Sequence, residues 1–306
     1  MSMNEFWDYL VPGIALGALY ATIAIGYTMV YGVLQLINFA HSEVFMTGGF
    51  AALLVFTKID PSSPSTAASI GLVALGFVAA GFAGAGTAFA LEKVAYRPLR
   101  KRNAPRLAFL ISAIGASFLL SNLAGKLFGR NNHRLPRLFE NKPVFHISET
   151  PVYRLQLVIV GAAVVMLVLL DLLVNRTKMG AGIRAVAQDA ETAGLMGVDI
   201  DRIISRTFVV GGLLGGIAGF LFAMNSSVGF TMGFFPGITA FAAAVVGGIG
   251  NVRGAMMGGL LLGIVESFSS DLFGEEWRYV SAFVVLILVL MFRPTGILGE
   301  RLGRTA

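Results

Sequence analysis

The chain has 306 residues, 56% of them hydrophobic and only 13% charged, whereas soluble domains carry roughly 25% charged residues, so a soluble fold is excluded. There is no cysteine, which rules out disulfides, thiolate metal sites and cysteine nucleophiles. The formal net charge of +6 arises from basic residues set between apolar stretches, where they read as topology signals and not as a nucleic-acid footprint.

Met1 to Leu10 carries Glu5 and Asp8 but no Lys or Arg, so it lacks the basic start of a secretory signal. The apolar stretch that follows is expected to remain as a span. A helix needs about 20 mostly apolar residues to cross the hydrocarbon core. By that measure the first span runs over 11–33 and the second over 43–56, joined by a polar connection from Leu34 to Ser42. Pro61 to Ser65 is a turn-rich loop. The third span covers 66–91 and leads into a basic loop with Lys93, Arg97, Arg100, Lys101, Arg102 and Arg106. The fourth covers 107–127. Residues 129–154 are mixed and polar, and Pro136, Pro143 and Pro151 exclude one long helix there. The fifth span covers 155–174, a second polar stretch covers 175–206, and the sixth span covers 207–224. The apolar region 234–268 is too long for one straight span and is interrupted from Gly247 to Gly254, which predicts two shorter segments meeting at a turn near Asn251. The last span covers 279–292, and the tail carries Arg293, Arg301 and Arg304. The expected fold is all-α: one polytopic transmembrane bundle over 1–306 with about eight to ten membrane segments, some broken or re-entrant.

Basic loops face the cytoplasm. Placing 93–106 inside puts the N-terminus outside, 175–206 inside, and, with the break at Asn251, Asp271, Glu275 and Glu276 outside and the basic tail inside. One conflict remains, because Arg130, Arg134, Arg137, Lys142 and Arg154 then fall in an external loop. Long loops obey the rule weakly.

Inside lipid, helices associate through close packing, which small residues permit. Gly211-Gly212-x-x-Gly215-Gly216-x-x-Gly219 places glycines on one helix face and is expected to serve packing, not ligand binding. A short internal echo links Asn38-x-x-His41-Ser42 and Met46-x-Gly48-Gly49 to Asn251-x-Arg253-Gly254 and Met257-Gly258-Gly259, each at a break between apolar segments, as in transporters with duplicated halves.

No phosphate loop, H-E-x-x-H or G-x-S-x-G motif occurs, and His41, His133 and His146 are too scattered for a metal site. No cofactor is expected. If ATP drives this protein, another chain binds it. Asn38, His41 and Glu43 are polar groups beside membrane spans, where ionisable residues are costly. Two readings stand: they mark the cytoplasmic end of a hairpin, or they line a pathway at a broken helix. Arg253 is either the tip of an inside turn beside Asn251 or a buried residue needing a partner such as Glu266. Asp171, close to Arg176 and Lys178 at the membrane edge, reads as structural.

Between 181 and 197, Ile183, Val186, Ala187, Ala190, Ala193 and Gly194 recur at helical spacing, opposite Arg184, Gln188 and Glu191, with Asp189 at the edge. The segment is too short and too charged to cross. It predicts an amphipathic helix on the cytoplasmic face, either a surface connector or a docking element for a soluble partner.

Several motifs, in order along nearly the whole chain, resemble the H-type permease subunit of bacterial ABC importers for branched-chain amino acids. They are Ala24-Ile25-Gly26-Tyr27-Thr28-Met29-Val30-Tyr31-Gly32 with Ile37-Asn38-Phe39-Ala40-His41; Glu92-Lys93-Val94-Ala95-Tyr96-Arg97-Pro98; Leu110-Ile111-Ser112-Ala113-Ile114-Gly115; and Met179-Gly180 through Ala193. Val246-Gly247-Gly248-Ile249-Gly250-Asn251 with Gly254-Ala255-Met256, and Pro294-Thr295-Gly296-Ile297-Leu298-Gly299, complete the set. Ser42 departs from it, since the family usually has Gly after the His.

The resemblance implies a multi-pass protein of the bacterial inner membrane. A periplasmic binding protein would deliver the amino acid, a second homologous permease would complete the path, and two cytoplasmic ATPases would drive alternating access. It makes 181–197 the coupling segment, with Arg184, Gln188, Asp189, Glu191 and Gly197 as the ATPase-facing residues. Related permeases serve urea, short amides or other amino acids, and no single residue here selects among these substrates. A self-sufficient secondary transporter would call for paired intramembrane carboxylates, and a membrane enzyme for a cluster of acid, base or metal ligands; the sequence offers neither.

Overall fold

The computed structural model describes residues 3–59, 66–136, 138–139 and 142–299. Pro61 to Ser65, Arg137, Arg301 and Arg304 lie outside them. The helices are α1 (Met3–Leu34), α2 (His41–Ile59), α3 (Thr66–Leu91), α4 (Arg97–Lys101), α5 (Arg106–Phe128), α6 (Arg154–Arg176), α7 (Lys178–Gln188), α8 (Ala190–Leu195), α9 (Ile200–Asn225), α10 (Phe234–Gly247), α11 (Val252–Phe273) and α12 (Arg278–Phe292). Among the described residues, seven helical stretches are long and apolar enough to cross a membrane, and α10 is a shorter apolar helix. These elements match the expected spans closely, including the break at Asn251.

Two stretches differ from expectation. The basic loop after the third span is mostly helical: α3 continues through a π turn (Glu92–Tyr96) into α4, and the chain leaves the helix only at Arg102. The charges do not end the helix, because Glu, Lys, Ala and Arg are all good helix formers. Within the polar stretch 129–154, β1 (Pro143–Ile147) and β2 (Thr150–Tyr153) form an antiparallel hairpin that pairs Phe145 with Val152 and Ile147 with Thr150. Ser148 takes the turn at φ 57°.

The chain divides into two compact units. The first gathers residues 1–28, 143–172 and 238–306. In it α1 crosses α11 almost backbone to backbone. A Cβ on Gly263 would lie 2.2 Å from Gly17 Cα, and one on Gly259 would lie 2.4 Å from Ala21 Cα. Glu266, fully buried on α11, accepts a hydrogen bond from Tyr20 Oη at 2.9 Å and is ion-paired to Arg278, which ties α1 and α12 to α11. The hairpin is held to the start of α1 by Thr150 Oγ1, which donates to Asp8 at 2.5 Å, and by Ser148 Oγ, which donates to Asn4 at 2.7 Å.

The second unit gathers residues 29–142 and 173–237. Its axis is α9, whose glycine stripe serves two neighbours. Gly212 and Gly216 meet α3 at Gly84 and Ala80, while Gly219 meets α2, where an added Cβ would lie 1.9 Å from Phe45 O. The stripe is a packing device, as its spacing predicts. At the far end of α9, Met46, Phe50, Leu53, Ala124, Ala223 and Val228 form a core on which Phe128 stacks.

Candidate functional site

The polar stretch after α6 folds into two short helices. Thr177 caps α7: its hydroxyl accepts from Gly180 N at 3.0 Å. Ile183, Val186 and Ala193 are buried. Gly182 and Gly194 bring α7 and α8 against the first turn of α9, since a Cβ at either would lie 2.6 Å from Ile203 Cδ1 or 3.2 Å from Ile200 Cδ1. The opposite face is open: Arg184, Gln188, Asp189, Glu191 and Gly197 are all exposed. The five residues expected to face a partner therefore lie on one exposed stretch.

The continuous helix expected over 181–197 is not observed. Asp189 breaks it at φ −156°, and its carboxylate caps α8 by accepting from Glu191 N at 3.0 Å and Thr192 N at 3.1 Å. Thr192 Oγ1 donates to the same carboxylate at 2.5 Å. An Asp side chain competes for backbone N–H groups inside a helix and is strongly favoured at its start, which is why the break falls here. The Thr192 hydroxyl, followed by the two backbone donors, holds the Asp189 carboxyl below its ordinary range. α8 ends in Gly197 at φ 87°, a conformation that disfavours a side chain.

Sequence reasoning overlooked Leu195 and Met196, which are 84% and 82% exposed at the tip of this segment. Their adjacency to Gly197 was visible, but an apolar pair in a helical pattern reads as core until the fold shows it facing outward.

Asn38, His41 and Glu43 are all buried within the second unit. Asn38 Oδ1 accepts from Tyr96 Oη at 2.7 Å. The His41 ring starts α2 and fills the space left by Gly215, 3.0 Å from where a Cβ would stand. Glu43 Oε1 accepts from Ser117 Oγ at 3.1 Å, and its other carboxylate oxygen has no hydrogen-bond partner among the described residues. Residues 35–40, between α1 and α2, are non-helical.

Asn251 caps α11 through Gly254 N at 3.1 Å and donates to Leu298 O at 3.0 Å. Arg253, exposed in the first turn of α11, grips Asp171 through two hydrogen bonds of 2.9 and 3.1 Å. Arg253 thus pairs with Asp171, while Glu266 pairs with Arg278. The described residues contain no group of three or more side chains able to hold a metal.

A family model described as the branched-chain amino acid transport system / permease component matches residues 9–290. The high-affinity branched-chain amino acid transport system permease protein BraD of Pseudomonas aeruginosa is 41% identical over 305 residues, 97% of this chain and 98% of that one. The permease protein LivH of the corresponding system of Escherichia coli K12 is 41% identical over 299 residues, 96% of each chain. A probable branched-chain amino acid transport permease of Methanocaldococcus jannaschii is 28% identical over 92% of this chain and 89% of that one.

Proposed function

Since the chain belongs to the family of permease components of branched-chain amino acid transport systems, we propose that it moves branched-chain amino acids by docking a separate ATPase on 178–197. It is a multi-pass membrane transport subunit, not an enzyme. The working importer in this reading adds a second permease chain, two cytoplasmic ATPases and a periplasmic binding protein. The N-terminus lies outside and the C-terminus inside. The basic residues of 93–106 and 175–206 and the acidic Asp271, Glu275 and Glu276 support that orientation.

The observation that carries the reading is the amphipathic build of α7 and α8: Ile183, Val186 and Ala193 are spent on the protein's own packing, while Arg184, Gln188, Asp189, Glu191, Leu195 and Met196 remain outward. Exposed large apolar side chains set among charged ones are what a partner groove desolvates on docking. Leucine, isoleucine and valine are apolar at one end and zwitterionic at the other. Initial selection falls to the binding protein, so related substrates such as urea or short amides remain the competing assignment.

The test is purification of the tagged chain from its host in mild detergent with mass spectrometry of what accompanies it. ATPase chains and a second permease are expected, and the Asp189→Lys/Glu191→Lys double variant should insert normally yet import no leucine. A homo-oligomer recovered alone, or normal uptake by the double variant, would overturn the docking reading.

A further inference from the structure

The cytoplasmic start of α9 carries a second constellation that the docking role does not use. Asp201, in its first turn, receives two arginine forks, one on each carboxylate oxygen. Arg97 donates to Oδ2 from Nε at 3.2 Å and Nη2 at 3.0 Å, and Arg100 donates to Oδ1 from Nε at 3.2 Å and Nη2 at 2.5 Å. Arg100 Nη2 also reaches Glu92 at 3.2 Å, and Ser205 Oγ donates to the other Glu92 oxygen at 2.7 Å. Glu92 is fully buried. Two forked arginines on one carboxylate make a rigid joint, because the guanidinium plane fixes direction as well as distance.

All these groups sit on or beside the π turn Glu92–Tyr96. A π turn is rare, costs regular hydrogen bonding, and concentrates at functional sites. The same turn delivers Tyr96, fully buried, whose hydroxyl holds Asn38 in the connection between α1 and α2. On its other side the joint grips α9 between Ile200 and Ile203, the two residues against which α8 and α7 press. An unbroken run of contacts therefore leads from the docking segment through Ile200, Asp201 and Ile203 to Arg97 and Arg100, through the π turn to Tyr96, and so to Asn38.

We propose that Arg97, Arg100 and Asp201, together with Tyr96, are positioning residues that transmit movement of the 178–197 segment to the 35–40 connection and so couple ATP hydrolysis to import. The inference rests on the docking reading of 178–197. A purely structural ion cluster would not need to be built on a π turn, nor to reach Asn38 through a buried phenol. If the joint transmits motion, weakening it leaves the ATPases bound and hydrolysing ATP while less substrate crosses per ATP.

The test uses the intact importer, with its ATPases and binding protein, in proteoliposomes, and reads radiolabelled leucine uptake and ATP hydrolysis on the same preparation. Asp201→Asn should keep its ATPases yet import about tenfold less leucine per ATP, the size expected when charge-assisted hydrogen bonds are lost. Asp201→Glu should recover most of that ratio. Tyr96→Phe removes a single hydroxyl and should lower the ratio by about threefold, in line with one lost neutral hydrogen bond; it decides the matter alone if Asp201→Asn does not assemble. A wild-type ratio in both Asp201→Asn and Tyr96→Phe, or uptake and hydrolysis falling together at constant ratio, would overturn the proposal. The docking reading fails separately, if Leu195→Asp/Met196→Asp still holds its ATPases at the wild-type level.

Discussion

Gly216 shows how narrow the margin is for single atoms in this protein. A Cβ there would lie 2.0 Å from Ala80 O, a backbone atom that cannot step aside. Gly216→Ala must separate α3 from α9, at a cost of about 1–3 kcal/mol for overpacking. Gly86, on an exposed part of α3 with nothing within 4 Å of its Cβ position, is the control, and Gly86→Ala should be neutral or slightly stabilising. Thermal unfolding of the two variants in the same detergent checks the contrast. Glu266 makes a different point. It is fully buried, and Arg278 neutralises it. Arg278→Met strands a buried carboxylate and should cost up to about 3 kcal/mol, while Glu266→Leu/Arg278→Met removes both charges and should recover much of that loss. The same unfolding assay reads both, and a double variant no better than the single one would refute the argument. Glu266 was visible in the sequence as a candidate partner for Arg253. Its true partner was not, because Arg278 and Tyr20 reach it from other helices.

At the scale of elements, the helices of this chain are set by what surrounds them. Spans such as 107–127 and 155–174 are legible because lipid demands about 20 apolar residues in a row. The 178–197 segment is less so, since its helical periodicity says nothing about where a side chain will capture the backbone. Asp189 does so, and α8 depends on that cap. Asp189→Ala should loosen α8 and raise amide exchange at Thr192 and Ala193 while α7 stays protected. The capping carboxyl is held below its ordinary range in the folded chain. Its contribution is therefore fully present above the ordinary aspartate pKa and is lost as pH falls through the lowered folded value. The protection factors of the α8 amides, each taken against the intrinsic exchange rate at the same pH, should thus stay constant between neutral and mildly acidic pH, and a change near neutrality would contradict the assignment. The β1–β2 hairpin was legible only as an exclusion: Pro136, Pro143 and Pro151 forbid a helix, but strand register depends on which residues the turn at Ser148 brings opposite one another.

At the scale of the whole molecule, the proposed orientation is open to direct chemistry, because the chain has no cysteine to remove first. Asn103 and Glu276 are both exposed. With the N-terminus outside, Glu276→Cys should react with a membrane-impermeant maleimide on spheroplasts, and Asn103→Cys only after permeabilisation. The reverse pattern would invert the topology and place 178–197 outside, where no ATPase could reach it. Arg130 and Arg134, which oppose the charge rule on this topology, carry little weight because they lie in a long loop.

The amino-acid sequence by itself determined the class of the protein, the position of its spans, the break at Asn251 and the polar face of 181–197, since each follows from a local requirement: apolar length, backbone satisfaction or helical period. The tertiary structure alone decided which helix faces meet, that Asp171 answers Arg253, and that Arg97, Arg100 and Asp201 converge beside the π turn. Arg97 and Asp201 stand 104 positions apart in the chain. No local rule reaches that far, so only packing α3 on α9 through their glycines could bring them together.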